Sequence, residues 1–267
     1  MMLLIDAGNT RIKWALAAAA GEAAALPVRW LQQGAVERAG VQALAQDWAA
    51  LASQLAPAAD LQVCVSNVAG TALRESLQAI LHTVFGPRAV IEWFASTPER
   101  AGLRNGYRHP GQLGCDRFAA AIGARALFPG QELLVATCGT ATTIDLVTAG
   151  GVFEGGMILP GFGTMATSLA LNTAQLPRID GAAPPERLFA DNTVDAIVAG
   201  CIAAQVGAIE HALAERRRLH PGAALRCLLA GGAGVLLAPY LALGDTPLEK
   251  VDNLVLIGLY AAMNHGR

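Results

Sequence analysis

The sequence predicts an α/β protein made of two related halves. The first observation is that an order of strand-like runs and helix-period segments occurs twice along the 267 residues. The second is a stretch rich in glycine and proline, around residues 98–114, which separates the two occurrences. The third is a composition that is 54% hydrophobic and only 15% charged, enough for a sizeable core. We therefore expect two mixed β-sheets with flanking helices.

The first half contains apolar runs with the length of strands and two segments with the period of helices. The predicted strands are Leu3–Asp6, Arg11–Leu16, Leu61–Asn67 and Ala89–Phe94. Apolar residues at steps of three and four between Val41 and Leu55 predict an amphipathic helix, and the spacing from Leu73 to Leu81 predicts a second. A loop then runs to Gly114.

The second half repeats this order. Its predicted elements are a helix at Asp116–Phe128, strands at Glu132–Thr137, Thr142–Val147 and Gly151–Ile158, a short helix after Gly163, a long helix at Thr193–Leu219, a strand at Leu225–Ala230 and two closing helices. We place the domain boundary between residues 114 and 115, which gives domains 1–114 and 115–267. Arg216–Arg218 end the long helix, where positive charge is favourable for the helix dipole.

Charge and cysteine usage limit the class of protein. The formal net charge of −2 gives no reason to expect a nucleic-acid partner. The five cysteines are widely spaced, without a C-x-x-C pair or a cluster of metal-ligand spacing, which fits a reducing compartment. No signal peptide is recognisable, and no uninterrupted apolar run reaches the roughly 18 residues of a membrane span. We expect a soluble, cytoplasmic protein without a membrane partner.

The opening segment has the pattern of a phosphate-binding turn. Asp6 ends an apolar strand, where a carboxylate is tolerable beside a hydrated metal ion or a strong donor. Gly8 allows a tight reversal, and the backbone N–H groups from Gly8 to Thr10 can then point at one anionic group. Lys13 lies within reach of the same group. The alternative is an ordinary β-hairpin with a polar turn.

Two further glycine-rich segments have a similar pattern. Residues 135–145 carry Gly139 and Thr140 between two strands, and residues 228–234 run from an apolar strand into a glycine-rich bend that suits an adenine ring or ribose. Each alone is most often only a turn. Together, in this order, the three segments resemble the two phosphate motifs and the adenosine motif of the actin-like, sugar-kinase-like ATPases. That resemblance implies two related ribonuclease H-like domains with ATP in the interdomain cleft.

Asp116 and Arg117 stand at the start of a helix, directly after the glycine-rich loop. A carboxylate at this place can simply cap the helix N-terminus. In a two-domain kinase, an aspartate at the mouth of the cleft can instead accept the proton of an attacking hydroxyl group. Both interpretations are compatible with the residues alone.

Taken together, these motifs resemble type III pantothenate kinases over essentially the whole chain. The matching segments are Asp6–Lys13, Gly114–Arg117 (the G-x-D-R signature), Gly139–Thr143, and Glu154–Gly156 through Pro160–Gly161. The resemblance implies ATP-dependent phosphorylation of pantothenate to 4′-phosphopantothenate, the first step of coenzyme A biosynthesis. It also implies a homodimer.

The resemblance further implies residue roles. Asp116 would be the general base, and Asp6 would position Mg²⁺, largely through water. The segment that would bind ATP comprises Asp6, Ala7, Gly8, Asn9, Thr10, Arg11, Ile12 and Lys13, with Thr140 from the second phosphate loop. The residues that would bind pantothenate are Tyr107, Gly114, Cys115, Asp116, Arg117 and Thr193.

One position departs from the family pattern. Many members carry an aspartate where this chain has Thr137, and that aspartate helps to bind an activating monovalent cation, K⁺ or NH₄⁺. Threonine offers a hydroxyl and a carbonyl oxygen but no charge. Two other functions remain open from the sequence: a kinase of a different small alcohol or acid, and a nucleotide-binding regulator that has lost catalysis.

Overall fold

Two β-sheets flanked by helices organise the chain. The computed structural model describes residues 1–18, 26–55, 60–179, 181 and 183–265. By packing, the chain divides into unit 1, which is Met1–Gly130, Gly151–Phe153 and Asn253–Arg267, and unit 2, which is Gln131–Gly150 and Glu154–Asp252.

The strands and helices lie in the following order. The strands are β1 Met2–Ala7, β2 Arg11–Ala17, β3 Gln32–Glu37, β4 Leu61–Asn67, β5 Ala89–Trp93, β6 Glu99–Arg100, β7 Leu103–Asn105, β8 Glu132–Cys138, β9 Ala141–Val147, β10 Val152–Pro160, β11 Leu225–Ala230 and β12 Leu248–Lys250. The helices are α1 Leu44–Gln54, α2 Thr71–Phe85, α3 Cys115–Leu127, α4 Phe162–Asn172, α5 Thr193–Leu219, α6 Gly234–Leu237 and α7 Leu254–Asn264.

The sheet of unit 1 has the strand order β3-β2-β1-β4-β5. Strand β1 is central: it pairs antiparallel with β2 and parallel with β4. Because it has neighbours on both sides and helices packed against it, its apolar residues from Met2 to Ile5 are completely buried. A core cluster joins β1, β2 and β4 to α1 and α2, with Trp48 and Leu77 among its completely buried members. The C-terminal end of β1 therefore has a rigid base.

Helices α3 and α7 of unit 1 cross at very short range. A Cβ atom built on Gly258 of α7 would lie 1.7 Å from the carbonyl oxygen of Ala119, and one on Gly123 of α3 would lie 2.6 Å from the carbonyl oxygen of Leu254. Glycine at both positions allows the backbones to touch, which fixes α3 and its N-terminal turn within unit 1.

The sheet of unit 2 repeats the order of the first. Five strands of this seven-stranded sheet lie in the order β10-β9-β8-β11-β12, with β8 antiparallel to β9 and parallel to β11. Numbered from β8, these five strands have the order 3-2-1-4-5, which is also the order of the first sheet. The predicted α/β class with two related mixed sheets and flanking helices is confirmed.

The structure adds short elements and divides the chain differently from the predicted boundary at 114/115. Strands β3 and β12 were not predicted, and the predicted loop at 98–114 contains the small β6–β7 hairpin. Residues 115–130 and α7 belong to unit 1 by packing, because the α3–α7 glycine crossing holds them there. Of the two predicted closing helices, α6 has only four residues.

Helix α5 is the one helix, among the described residues, that is long and apolar enough to cross a membrane by length and composition. Half of its most apolar window is buried inside the structure, as in the core helix of a folded domain. Its C-terminal arginines are engaged within unit 2: Arg216 pairs with Glu132 and Glu154, and Arg218 pairs with Glu215. The interpretation of this basic triplet as a helix end is consistent with these pairs.

Candidate active site

The β1–β2 hairpin places the predicted phosphate-binding residues at one end of the sheet of unit 1. The N–H of Gly8 donates to the carbonyl oxygen of Arg11 at 3.1 Å, which closes the turn. A Cβ at Gly8 would lie 3.1 Å from the same oxygen, so a side chain would crowd it. Asp6 and Lys13 are register partners on adjacent strands and therefore project to the same face.

Asp6 has an unusual electrostatic environment. The pKa of Asp6 is raised from 3.8 to about 7, first by burial and then by the negative charge of Asp116, while the positive charge of Lys13 lowers it. Two carboxylates and one ammonium group thus interact at the end of β1. Such an arrangement favours a bound cation or a shared proton.

The first turn of α3 holds Asp116 in a defined orientation. Gly114 is the N-cap residue, and a Cβ there would lie 2.7 Å from Oδ1 of Asp116, so glycine leaves room for the carboxylate. That same Oδ1 accepts a hydrogen bond from the N–H of Arg117 at 2.8 Å. Burial raises the pKa of Asp116, while this hydrogen bond and the charge of Arg117 lower it. Asp116 is therefore not the N-cap residue of α3; it lies in the first turn and accepts one N–H there, which is compatible with the role of a base.

Arg117 and Tyr107 meet beside Asp116. The guanidinium Nη1 of Arg117 donates to the Tyr107 hydroxyl at 2.9 Å, and the guanidinium carbon lies 5.8 Å from the centre of that ring and 5.6 Å from the ring of Phe153. Asn105 shapes the approach to Tyr107, because its amide oxygen accepts the N–H of Tyr107 at 3.0 Å. The result is a buried arginine beside two aromatic rings, whose centres lie 5.7 Å apart.

Cys115 links the start of α3 to the sheet. Its Sγ lies 3.4 Å from Oγ of Ser66 and 3.6 Å from the carbonyl oxygen of Asn67. Ser66 is completely buried and is the register partner of Asp6 on β4. The alternation of β4 could have indicated Ser66 as an inward-facing polar residue, but nothing in the sequence indicated its contact with Cys115.

In unit 2, the β8–β9 hairpin closes like the first one. The N–H of Gly139 donates to the carbonyl oxygen of Ala141, the first residue of β9, at 3.0 Å. In the first hairpin, Gly8 likewise donates to the first residue of β2. The two predicted phosphate loops therefore share one closing hydrogen bond, although the second loop is one residue shorter.

The other glycine-rich segments of unit 2 pack against this second loop. The carbonyl oxygen of Thr140 accepts two hydrogen bonds, one from the N–H of Gly161 at 3.0 Å and one from the Oγ1 hydroxyl of Thr164 at 2.6 Å. A Cβ on Gly161 would lie 2.0 Å from the carbonyl oxygen of Gly139, and one on Gly231, where φ is +87°, would lie 2.4 Å from that of Cys138. Two segments that are distant in sequence thus pack against residues 138–140.

Thr137 lies just before this loop, with Thr143 as its register partner on β9. The hydroxyl oxygen of Thr143 is buried and has no hydrogen-bond partner in the described part of the chain. Among the described residues, no group of three or more His, Cys, Asp and Glu side chains could hold a metal ion.

Thr193 starts α5 and lines a cavity of unit 2 with a volume of about 910 Å³. Asn192 caps the helix by accepting the N–H of Asp195 at 3.0 Å. The cavity lies between α4 and α5 and is also lined by Thr164, Ser168 and Cys201.

Sequence reasoning found most of these residues but not all. Within unit 1, the structure brings together Asp6, Lys13, Asp116, Arg117 and Tyr107. Within unit 2, it brings Thr140 to the glycine-rich segments. The missed residues are Ser66, Asn105, Phe153 and Thr164. Asn105 contacts its near neighbour Tyr107, whereas the other three act through contacts between distant segments.

The comparisons agree on the family. The family model for type III pantothenate kinase matches residues 2–215. The chain is 53% identical to a type III pantothenate kinase of Janthinobacterium sp. (strain Marseille) and 52% identical to one of Herminiimonas arsenicoxydans, in each case over 99% of this chain and 98% of the relative.

Solved structures add the fold. A candidate 2-dehydro-3-deoxygalactonokinase of Sinorhizobium meliloti has a TM-score of 0.60 at 16% identity, with 98% of each chain covered. A candidate Baf family transcriptional activator of Campylobacter jejuni has a TM-score of 0.53 at 18% identity, covering 96% of this chain and 94% of that one. At these identities the likeness concerns the fold alone, whereas the family rests on the full-length sequence matches: the chain belongs to the type III pantothenate kinase family.

Proposed function

We propose that this enzyme transfers the γ-phosphoryl group of ATP to the terminal hydroxyl of pantothenate, giving 4′-phosphopantothenate and ADP in the first step of coenzyme A biosynthesis. Family membership supports the reaction. The observation that carries the site is the interaction of Asp6, Lys13 and Asp116 at the end of β1.

Asp116 is the general base of this proposal. The substrate hydroxyl gives its proton to the Asp116 carboxylate while its oxygen bonds to the γ-phosphorus. The bond from that phosphorus to the bridging oxygen of ADP then breaks. The raised pKa of Asp116 makes its carboxylate a stronger base, and its hydrogen bond to the N–H of Arg117 holds it in place.

Because the N–H of Gly8 closes the turn, phosphate oxygens are bound by the backbone N–H of Asn9 and by the side chains of Asn9 and Thr10, and Lys13 supplies positive charge. The flanking Ala7, Arg11 and Ile12 belong to the same segment. In unit 2, Thr140 contacts the nucleotide, and the packing of Gly161 and Gly231 against its loop supports a fixed backbone there.

The pantothenate end is bound by Arg117 and Tyr107. The planar guanidinium of Arg117 can bind a carboxylate through two hydrogen bonds, and the two rings beside it hold its plane. Gly114 and Cys115 contribute the backbone of the same turn. Thr193 contacts substrate from the start of α5.

The residues fit a magnesium ion at Asp6. Mg²⁺ prefers oxygen ligands and keeps several of its water molecules. Asp6 offers a carboxylate oxygen, and because burial and the negative charge of Asp116 both destabilise the charged carboxylate, a cation beside it would be favourable. Bound there with ATP, the ion would neutralise phosphate charge. Asp6 would hold it largely through water.

At Thr137 and Thr143, only neutral oxygen atoms are available as ligands for a monovalent cation, K⁺ or NH₄⁺. The unpartnered Thr143 hydroxyl oxygen supports such a site, and the missing carboxylate weakens it. We propose that K⁺ or NH₄⁺ activates the enzyme and that this activation saturates only at a high concentration of the cation. In a Thr137→Asp variant, the activation should saturate at a lower cation concentration.

We also propose a cytoplasmic homodimer without nucleic-acid or membrane partners. In unit 2, Phe189 is 90% exposed and Leu171 is 76% exposed, which is costly for an isolated chain. The exposed face of α5 carries small residues at helical spacing, including Ala196 and Gly200, so that a second helix could approach closely. The free thiols of all five cysteines fit a reducing compartment.

Release of ADP with ATP, Mg²⁺ and pantothenate tests the reaction, with K⁺, NH₄⁺ or Na⁺ as the only monovalent cation. Turnover that depends on pantothenate supports the proposal. Turnover with another small alcohol or acid in place of pantothenate would instead indicate a kinase of different specificity. ATP binding without any turnover would indicate a regulator.

A further inference from the structure

Gln205 is a buried polar residue that no motif of the active site includes. It lies in the middle of α5 and has no exposed surface. Its Nε2 donates to the carbonyl oxygen of Pro160 at 2.6 Å and lies 3.3 Å from Sδ of Met165. Its Oε1 is buried and has no hydrogen-bond partner in the described part of the chain. A buried amide with one unsatisfied atom destabilises the fold, so its presence calls for a physical reason.

The acceptor of this hydrogen bond stands at a junction. Pro160 ends β10, and the next residue, Gly161, is the N-cap of α4. The carbonyl group of Pro160 and the N–H of Gly161 belong to one planar peptide unit, so a constraint on the carbonyl also constrains that N–H. Gln205 therefore fixes the point at which β10 passes into α4.

This junction is in direct contact with the second phosphate loop. The N–H of Gly161 and Oγ1 of Thr164 both donate to the carbonyl oxygen of Thr140, at 3.0 Å and 2.6 Å. The backbone of Gly161 packs directly against that of Gly139, since a Cβ on Gly161 would lie 2.0 Å from the carbonyl oxygen of Gly139. A displacement of Gly161 must therefore move the loop or break these hydrogen bonds.

We propose that Gln205 is a positioning residue for nucleotide binding: by holding the Pro160 carbonyl, it keeps Gly161 and Thr164 bonded to Thr140 and so fixes the second phosphate loop. This inference rests on the proposed nucleotide contact of Thr140. Gln205 itself touches no substrate. Loss of its hydrogen bond should lower the affinity for ATP. Neither the binding of pantothenate at Arg117 nor the proton transfer at Asp116 depends on Gln205.

The test compares ATP affinity, measured by calorimetry, with the KM of each substrate, kcat and the melting temperature. Gln205→Met keeps an unbranched side chain of similar length and removes the donor. Ile209→Val, one turn further along α5 and also completely buried, is the matched control for a simple loss of core packing. Thr164→Val removes the second donor at an exposed position, and Thr164→Ser restores it.

We expect Gln205→Met and Thr164→Val each to weaken ATP binding about threefold to tenfold, the effect of one hydrogen bond. In Gln205→Met, the KM for pantothenate and kcat at saturating ATP should stay close to wild type, because Gln205, unlike Thr164, does not line the cavity at Thr193. Ile209→Val and Thr164→Ser should bind ATP like wild type.

Two results would overturn the inference. The first is a folded Gln205→Met variant with wild-type ATP affinity. The second, which decides the matter if Gln205→Met does not fold, is wild-type ATP affinity in Thr164→Val. Absence of ATP binding in the wild-type chain would overturn the proposed function, and the inference with it.

Discussion

Asp6, at the C-terminal end of β1, and Asp116, in the first turn of α3, interact electrostatically: the negative charge of Asp116 raises the pKa of Asp6. The two residues are far apart in sequence, and the structure brings them together because α3 packs on the same unit as β1. Two neighbouring carboxylates repel each other unless a proton or a cation lies between or beside them. In the proposed reaction, this pair would supply a base and a cation ligand, both of which phosphoryl transfer needs.

The first prediction concerns Asp116→Asn. Removing the base should lower kcat by about 10²–10⁴ while ATP binding is retained, because an amide cannot accept the substrate proton. ADP release and calorimetry measure the two effects. Asp47→Asn, in the first turn of α1, is the control for removing an acidic residue from a helix start. Wild-type turnover in Asp116→Asn would exclude the role of base.

The second prediction concerns pH and Asp6. Its pKa is about 7 in the folded chain, above the ordinary value of 3.8. Between these values the folded chain keeps the proton that the unfolded chain releases. The free energy of unfolding should therefore fall as pH rises through this window and level off above about pH 7.

Asp6→Asn checks this directly, since the amide does not titrate. Thermal unfolding in metal-free buffer with a chelator should show the variant gaining stability relative to wild type as pH rises from about 4 to about 7. Parallel profiles for the two proteins would contradict the raised pKa.

The third prediction concerns Gly161→Ala. The new methyl group would overlap the carbonyl oxygen of Gly139, so we expect a loss of about 1–3 kcal/mol in stability together with weaker ATP binding. Gly163→Ala, two residues further in the first turn of α4, meets no atom within 4 Å and serves as the control. Chemical denaturation and ATP titration of both variants are the measurements. Equal behaviour of the two variants would show that the loop can yield.

The fourth prediction concerns Gly258→Ala at the α3–α7 crossing. A Cβ 1.7 Å from the Ala119 carbonyl oxygen must push the helices apart, which should cost about 1–3 kcal/mol or more. Because α3 carries Asp116, kcat should fall as well. Gly40→Ala, where a Cβ meets nothing within 4 Å, should leave both stability and kcat near wild type. An unchanged melting temperature in Gly258→Ala would argue against this close packing.

The fifth prediction concerns Tyr107→Phe. The variant loses the 2.9 Å hydrogen bond to Arg117 but keeps the ring, so the guanidinium is held less firmly. We expect the KM for pantothenate to rise about threefold to tenfold with the KM for ATP unchanged. Tyr240→Phe, at an exposed tyrosine, is the control. A rise in the KM for ATP instead would place Tyr107 at the nucleotide.

The motifs at the ends of the strands were predictable because their chemistry is local. The hairpins around Gly8 and Gly139 require a glycine, polar neighbours and a preceding apolar strand, and all three are adjacent in sequence. The same holds for Gly114 and Asp116, since the glycine leaves room for the carboxylate two residues later.

Sequence alone therefore determined the α/β class, the order of the main strands along the chain and the candidate residues from Asp6 to Thr193. Only the tertiary structure decided that residues 115–130 and α7 pack in unit 1, that Asp116 lies close enough to Asp6 to interact with it, and that Gln205 bonds to Pro160 and Thr164 to Thr140. The physical reason is that these contacts join segments that are distant in sequence. Their geometry depends on how closely two backbones approach, as at Gly123 and Gly258, and no local pattern of residues encodes that distance.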